Sequence, residues 1–232
     1  MTLLPSSERG GQKRAAAARA VAEIEDGMVL GLGSGTSAAF AVEAMAARIA
    51  EGLRVVGIPT SEKTAALARR LGVPLTSFAE HRRIDIAIDG ADQVECGTLN
   101  LVKGLGGALL REKIVASASD RMIVVVDETK LVDRLGGNTP LPIEIVSFGW
   151  QTVFDRLAAI GCAPRLRLAG EKPFTTDSGN YIVDCAITEI SDPAALQARL
   201  SAIIGVVESG LFIGLASKIV VGRPTGVEVI ER

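Results

Sequence analysis

The sequence predicts an α/β fold: an open, mostly parallel sheet with helices on both faces (Rossmann-like), carrying a small inserted ferredoxin-like α+β domain. Three observations lead there. Short apolar runs at 28–32, 54–58, 84–88 and 122–126 are almost continuously hydrophobic, as expected of strands covered on both faces and unlike the alternation of a half-solvated strand. Segments of helical composition separate these runs, which is the alternation of βαβ units. From 141 to 207 the order changes to strand, helix, strand, strand, helix, strand, the split arrangement of ferredoxin-like domains.

Taken in order, the alanine-rich stretch 12–24 has neither Gly nor Pro and reads as a helix, with Gly27 as its stop signal. Helices are expected at 36–51, 61–71 and 109–119, each between two of the apolar runs. Within the insertion, strands are expected at 141–146, 165–168, 181–186 and 205–207, with helices at 151–160 and 193–203. A last strand at 218–221 returns to the large sheet. The predicted division is therefore residues 1–134 together with 206–232 as the catalytic α/β domain, and 135–205 as the small domain.

Composition narrows the function. A net charge of −2 over 232 residues supplies no basic stripe for nucleic acid, whose phosphates would demand one. Aromatic residues are 3% of the chain, which leaves few platforms for stacking bases and points to a small polar ligand. Cys96, Cys162 and Cys185 are far apart and form no C-x-x-C pair, so neither a metal nor a disulfide framework is signalled. Residues 1–20 lack the apolar region of a signal peptide, and no run reaches the ~18 apolar residues of a membrane span. The expectation is a cytoplasmic protein with no membrane partner.

Each predicted parallel strand is followed by small, polar or charged residues: Gly33-Ser34-Gly35-Thr36-Ser37, Pro59-Thr60-Ser61, Asp89-Gly90-Ala91-Asp92 and Asp127-Glu128-Thr129-Lys130. The carboxyl ends of parallel strands share one sheet edge, where ligands bind. The first cluster joins a strand to a helix, so N–H groups and hydroxyls of Ser34, Gly35, Thr36 and Ser37 could meet an anion; a capped glycine turn is the plain alternative. Asp89 and Asp92 bracket Gly90 and Ala91 and suit proton transfer, or else form a turn. Lys103-Gly104-Leu105-Gly106-Gly107 is a tight loop with one cation that could neutralise an oxyanion. On the helix that follows, Leu110 and Ile114 share a face and Glu112 points away from it, so spacing alone reads Glu112 as solvated. Lys130 would reach the common edge as a phosphate partner, whereas His81 precedes a strand and reads as a surface residue.

These segments, with Thr176-Asp-Ser-Gly-Asn-Tyr181 and Gly205-Val-Val-Glu-Ser-Gly-Leu-Phe212, stand in the order of the type A ribose-5-phosphate isomerase family, which the chain resembles over nearly its whole length. The resemblance implies an aldose-ketose isomerase that needs no metal or nucleotide cofactor, takes a small sugar phosphate, and forms homodimers or homotetramers. It implies substrate loops at Ser34 to Ser37, Asp89 to Asp92 and Lys103 to Gly106, the proton acceptor at Glu112, and phosphate contacts near Lys130 and Lys13. Two departures stand out: Ser34-Gly-Thr-Ser37 where the family usually has Thr-Gly-Ser-Thr, and Leu105 where it usually has a further glycine. The implied mechanism is ring opening assisted by Asp89 or Asp92, then removal of the C2 proton by Glu112, with Lys103 stabilising the enediolate. A coenzyme A transferase, an amino-sugar phosphate deaminase and a non-catalytic sugar-phosphate sensor are the rival readings.

Overall fold

The computed structural model describes residues 6–231, with side chains from residue 9 onward. The remaining terminal residues, 1–5 and 232, which the predicted catalytic domain includes, lie outside the described residues. The chain forms two units: residues 1–91, 111–131 and 214–232 make the larger, and 92–110 with 132–213 the smaller.

The larger unit begins with α1 (Ser6–Val21), β1 (Val29–Leu32), α2 (Gly35–Ala50), β2 (Val56–Pro59), α3 (Glu62–Arg70) and β3 (Ile84–Asp89). After β4 (Gln93–Glu95) and β5 (Leu101–Val102) of the smaller unit, α4 (Leu109–Ser117) leads back into β6 (Ser119–Asp127) and the 3-10 turn Glu128–Lys130. The smaller unit resumes with β7 (Leu131–Val132), β8 (Leu141–Ile145), α5 (Trp150–Ala159), β9 (Ala163–Leu166), β10 (Leu168–Ala169) and β11 (Lys172–Pro173). It closes with β12 (Tyr181–Ala186), α6 (Pro193–Ser201), β13 (Val206–Ser209) and β14 (Leu211–Phe212), before β15 (Lys218–Arg223) and β16 (Gly226–Glu231) complete the large sheet.

The large sheet runs β16-β15-β6-β3-β1-β2 and is parallel except for β16 at its edge. Alternate residues explain the two covered faces. Leu30, Leu32, Ile86, Ile88, Ile123, Val125 and Val220 share a core with Ala16, Ala17 and Ala20 of α1 and Ala41, Val42 and Met45 of α2. On the other face Val115 of α4 closes over Gly31, where an added methyl would stand 2.5 Å from its Cγ1.

In the smaller unit, the antiparallel sheet β13-β8-β12-β9 has the order expected of a ferredoxin-like chain. Ile143, Ile145, Val183 and Cys185 alternate onto one face and pack with Val153 and Leu157 of α5 and Leu200 of α6. The unit differs in extent from the sequence-based division: it takes in residues 92–110 and continues to 213. The reason is pairing at long range, since Leu211 and Phe212 of β14 lie opposite Val102 and Leu101 of β5, within a second small sheet β14-β5-β4-β7. Strands of two or three residues carry no readable periodicity. Among the described residues, no helix is long and apolar enough to cross a membrane.

Candidate active site

In the larger unit β1 lies between β2 and β3, so successive connections leave it in opposite directions and open a crevice outside the carboxyl ends of β1 and β3. The loops 33–37 and 89–91 stand there. Asp89 is 3% exposed, and its Oδ1 accepts the Ser34 N–H at 3.0 Å and the Gly90 N–H at 2.7 Å. That carboxylate therefore organises both loops. Gly33 is required by its approach to Asp89, because a Cβ there would fall 2.3 Å from the carboxyl carbon.

Ser34 precedes α2 as its N-cap residue but makes no side-chain cap. Its hydroxyl bonds instead to Thr60 Oγ1 at 2.7 Å and Ser61 Oγ at 2.8 Å, and Thr64 Oγ1 completes the cluster by donating to the Gly33 carbonyl at 2.9 Å. That hydroxyl therefore braces the loop against the Thr60-Ser61 segment. The first turn of α2 holds no acidic residue, which leaves an electropositive helix end suited to a phosphate. Gly35 and Thr36 are exposed there, and Ser37 is buried.

At the end of β6, Asp127 is 1% exposed; it accepts the Thr129 N–H at 3.0 Å and pairs with Lys13 of α1 at 3.2 Å. Lys13 thus arrives at the carboxyl edge held by a carboxylate, and Lys130 closes the adjoining 3-10 turn. Burial alone would push the Asp127 carboxyl up, but hydrogen bonds from Thr129 and Lys13, with the Lys13 charge, outweigh it and hold the group below its usual value. A depressed folded-state pKa gives stability that is complete above the unfolded value and lost as pH falls through the folded one. Asp127→Asn should therefore cost on the order of 2 kcal/mol at pH 7 and weaken the acid dependence of unfolding below about pH 4. Urea titrations from pH 3 to 7 check this; parallel curves for the two proteins would refute it.

Glu112 overturns the reading from spacing. The helix buries Leu109, Glu112, Lys113 and Ala116, at i, i+3, i+4 and i+7, while Ile114 is 46% exposed. The inward stripe runs through Glu112, which is itself only 5% exposed. A heptad count anchored on Leu110 selects the wrong face because the apolar residues of this short helix surround it. Arg111 turns outward to Glu62 at 2.9 Å.

In the smaller unit Asp92 accepts the Leu105 N–H on Oδ2 at 2.9 Å, and its own N–H donates to the Val102 carbonyl. The two aspartates that bracket Gly90-Ala91 thus organise different segments. Lys103 is 3% exposed, with Nζ 5.4 Å from the Phe212 ring centroid, and its N–H donates to the Gly210 carbonyl at 2.9 Å. Gly104 has φ +107°, and a Cβ there would meet Leu109 at 2.7 Å, so no other residue fits. Leu105 keeps a negative φ and turns its side chain outward, 43% exposed; Gly106 is exposed as well. Asp127, Thr60, Thr64, Phe212 and Arg167, which grips the loop carbonyls, were not singled out from sequence, although Asp127, Thr60 and Phe212 lay within named motifs. His81 precedes β3, at the amino end of the sheet and away from these loops.

Residues 56–226 match the family model of ribose 5-phosphate isomerase A (phosphoriboisomerase A). Ribose-5-phosphate isomerase A of Gloeobacter violaceus is 54% identical over 218 residues, covering 94% of this chain and 95% of that protein. Among solved structures, a D-ribose-5-phosphate isomerase in complex with phospho-erythronic acid superposes with a TM-score of 0.92 at 38% identity, covering 96% of this chain and 98% of the other. The Methanocaldococcus jannaschii ribose 5-phosphate isomerase A gives 0.91 at 39% identity, covering 96% and 99%. With the motifs in order along both units and these matches spanning the chain, the protein belongs to the ribose 5-phosphate isomerase A family, a family of isomerases.

Proposed function

We infer that the chain interconverts D-ribose 5-phosphate and D-ribulose 5-phosphate through an enediolate, with Glu112 as the acid/base. The observation that carries this reading is the burial of Glu112 on the inward stripe of α4, where a carboxylate is withheld from water at the position the family motif reserves for a base. The phosphorylated four-carbon acid bound by the solved relative supports it, because a carboxylate copies the planar, oxygen-flanked carbon of an enediolate.

In the proposed sequence, Asp89 or Asp92 moves the proton that opens the furanose ring. Glu112 then takes the C2 proton, the electron pair forms the C1–C2 double bond, and the C1 carbonyl oxygen becomes an oxyanion that Lys103 and the N–H groups of Gly104 and Gly106 neutralise. Return of the proton from Glu112 to C1, with transfer of the O2 proton to the O1 oxyanion, leaves a hydroxymethyl group at C1 and the ketone at C2. The phosphate is assigned to the α2 loop, Ser34 to Ser37 with the Gly90-Ala91 turn beside it, and to Lys13 and Lys130. The same reading makes the protein a cytoplasmic homodimer or homotetramer without a nucleic-acid partner.

Purified protein mixed with ribose 5-phosphate should yield ribulose 5-phosphate. Unphosphorylated ribose should be turned over with kcat/KM lower by at least ~10²-fold, because two charge-assisted hydrogen bonds of about 1.5–3 kcal/mol each are lost. Absence of ribulose 5-phosphate would defeat the assignment of activity, and equal kcat/KM for the two sugars would defeat the phosphate site.

A further inference from the structure

We propose that Arg167 is the positioning residue of the Lys103–Gly107 loop; this rests on assigning that loop to the substrate. Arg167 follows β9 and is held at one edge by Asp184 of β12, which accepts Nε–H at 2.8 Å and also the Nη2 group. The other edge points to the loop: Nη1 donates to the carbonyl of Gly104 at 3.0 Å and to that of Leu105 at 3.1 Å. The Phe174 ring, with its centroid 5.9 Å from Cζ, flanks the guanidinium. The side chain of Arg167 is 14% exposed and that of Asp184 22%, so the pair is largely withdrawn from water and its geometry is defined by these partners.

The consequence follows from the peptide plane. In a trans peptide the C=O and the next N–H point in opposite directions. The Gly104–Leu105 peptide is gripped at both ends, its oxygen by Arg167 and its N–H by Asp92 at 2.9 Å. The Leu105–Gly106 peptide is gripped at its oxygen, which directs the Gly106 N–H away from Arg167. One guanidinium therefore sets the orientation of two consecutive peptides directly after Lys103. A planar fork with donors on two edges can hold a carboxylate and two carbonyls together, and an ammonium cannot reproduce that arrangement.

If the loop presents donors to the developing oxyanion, loosening it must weaken binding of an enediolate mimic by the factor by which it lowers catalysis. Arg167→Lys keeps a cation for Asp184, and Arg167→Ala removes the clamp entirely. Wild type, both variants and Lys103→Met are to be assayed for kcat, KM and inhibition by 4-phospho-erythronate, with thermal melts alongside. The expected result is a fall in kcat/KM of about 10-fold for the lysine variant and up to about 10²-fold for the alanine variant, with the inhibition constant rising in step. A merely structural role would lower the active fraction and kcat while leaving the inhibition constant of the folded fraction unmoved, and that outcome overturns the proposal. Wild-type behaviour of Arg167→Lys and Arg167→Ala beside an impaired Lys103→Met overturns it too. An unimpaired Lys103→Met instead removes the loop assignment on which it rests.

Discussion

Glu112→Gln is expected to lower kcat by at least ~10²-fold, the loss typical of removing a general base, while binding of a non-reactive sugar phosphate survives. Glutamine matches glutamate in size and offers both a donor and an acceptor, so the inward stripe of Leu109, Glu112, Lys113 and Ala116 can remain packed. What it lacks is a basic oxygen for the C2 proton. Burial at 5% exposure also makes a neutral amide an acceptable occupant, since burying a charged group is the costlier state. Measuring kcat and the affinity for a non-reactive sugar phosphate that lacks the carbonyl, on one preparation, separates the two halves. Near wild-type turnover in Glu112→Gln, with Asp89→Asn or Asp92→Asn inactive, would move the base to an aspartate. Normal turnover in all three variants would place the chemistry elsewhere.

Lys103→Met should have an effect of similar or greater size: a fall in kcat of about 10²–10³-fold, as for deletion of a donor that meets an oxyanion. Methionine preserves length and apolar bulk at a side chain that is 3% exposed beside the Phe212 ring, and thioether–aromatic contact is favourable. The backbone bond from Lys103 N–H to the Gly210 carbonyl does not depend on the side chain. Turnover that collapses in a variant that still unfolds cooperatively distinguishes lost charge stabilisation from lost structure. A stable variant within tenfold of wild-type kcat would show that Lys103 does not meet the oxyanion.

The loops that supply the candidate site were legible before the fold because a parallel strand announces itself as a short apolar run and the residues after it must sit at the carboxyl edge. Hence the Ser34, Asp89 and Asp127 clusters could be placed by position alone. Their individual roles were not legible. Whether the Ser34 hydroxyl meets a ligand or braces Thr60 and Ser61 depends on a neighbouring loop, not on the glycine-serine pattern. Glu112 was misread on spacing because nine residues of α4, apolar on several sides, do not define one face until the surroundings choose it. Arg167 gave no signal at all, since its partner Gly104 is 63 residues away in the chain and a lone arginine after a short strand is ordinary.

By itself, the sequence determined the kinds of elements and their order: strands from continuous or alternating apolar runs, helices from composition and stop signals, and the family from motifs in succession. Those properties arise within a few residues, from the repeat of the backbone and from local turn chemistry. Only the tertiary structure decided that β1 lies between β2 and β3, which makes the Ser34 and Asp89 loops neighbours at a switch point. It also decided that residues 92–110 belong with 132–213, and that Asp127 holds Lys13 while Arg167 holds the Lys103 loop. Strand order and side-chain partnership are set by which distant surfaces bury together most completely, a global comparison that no local pattern contains.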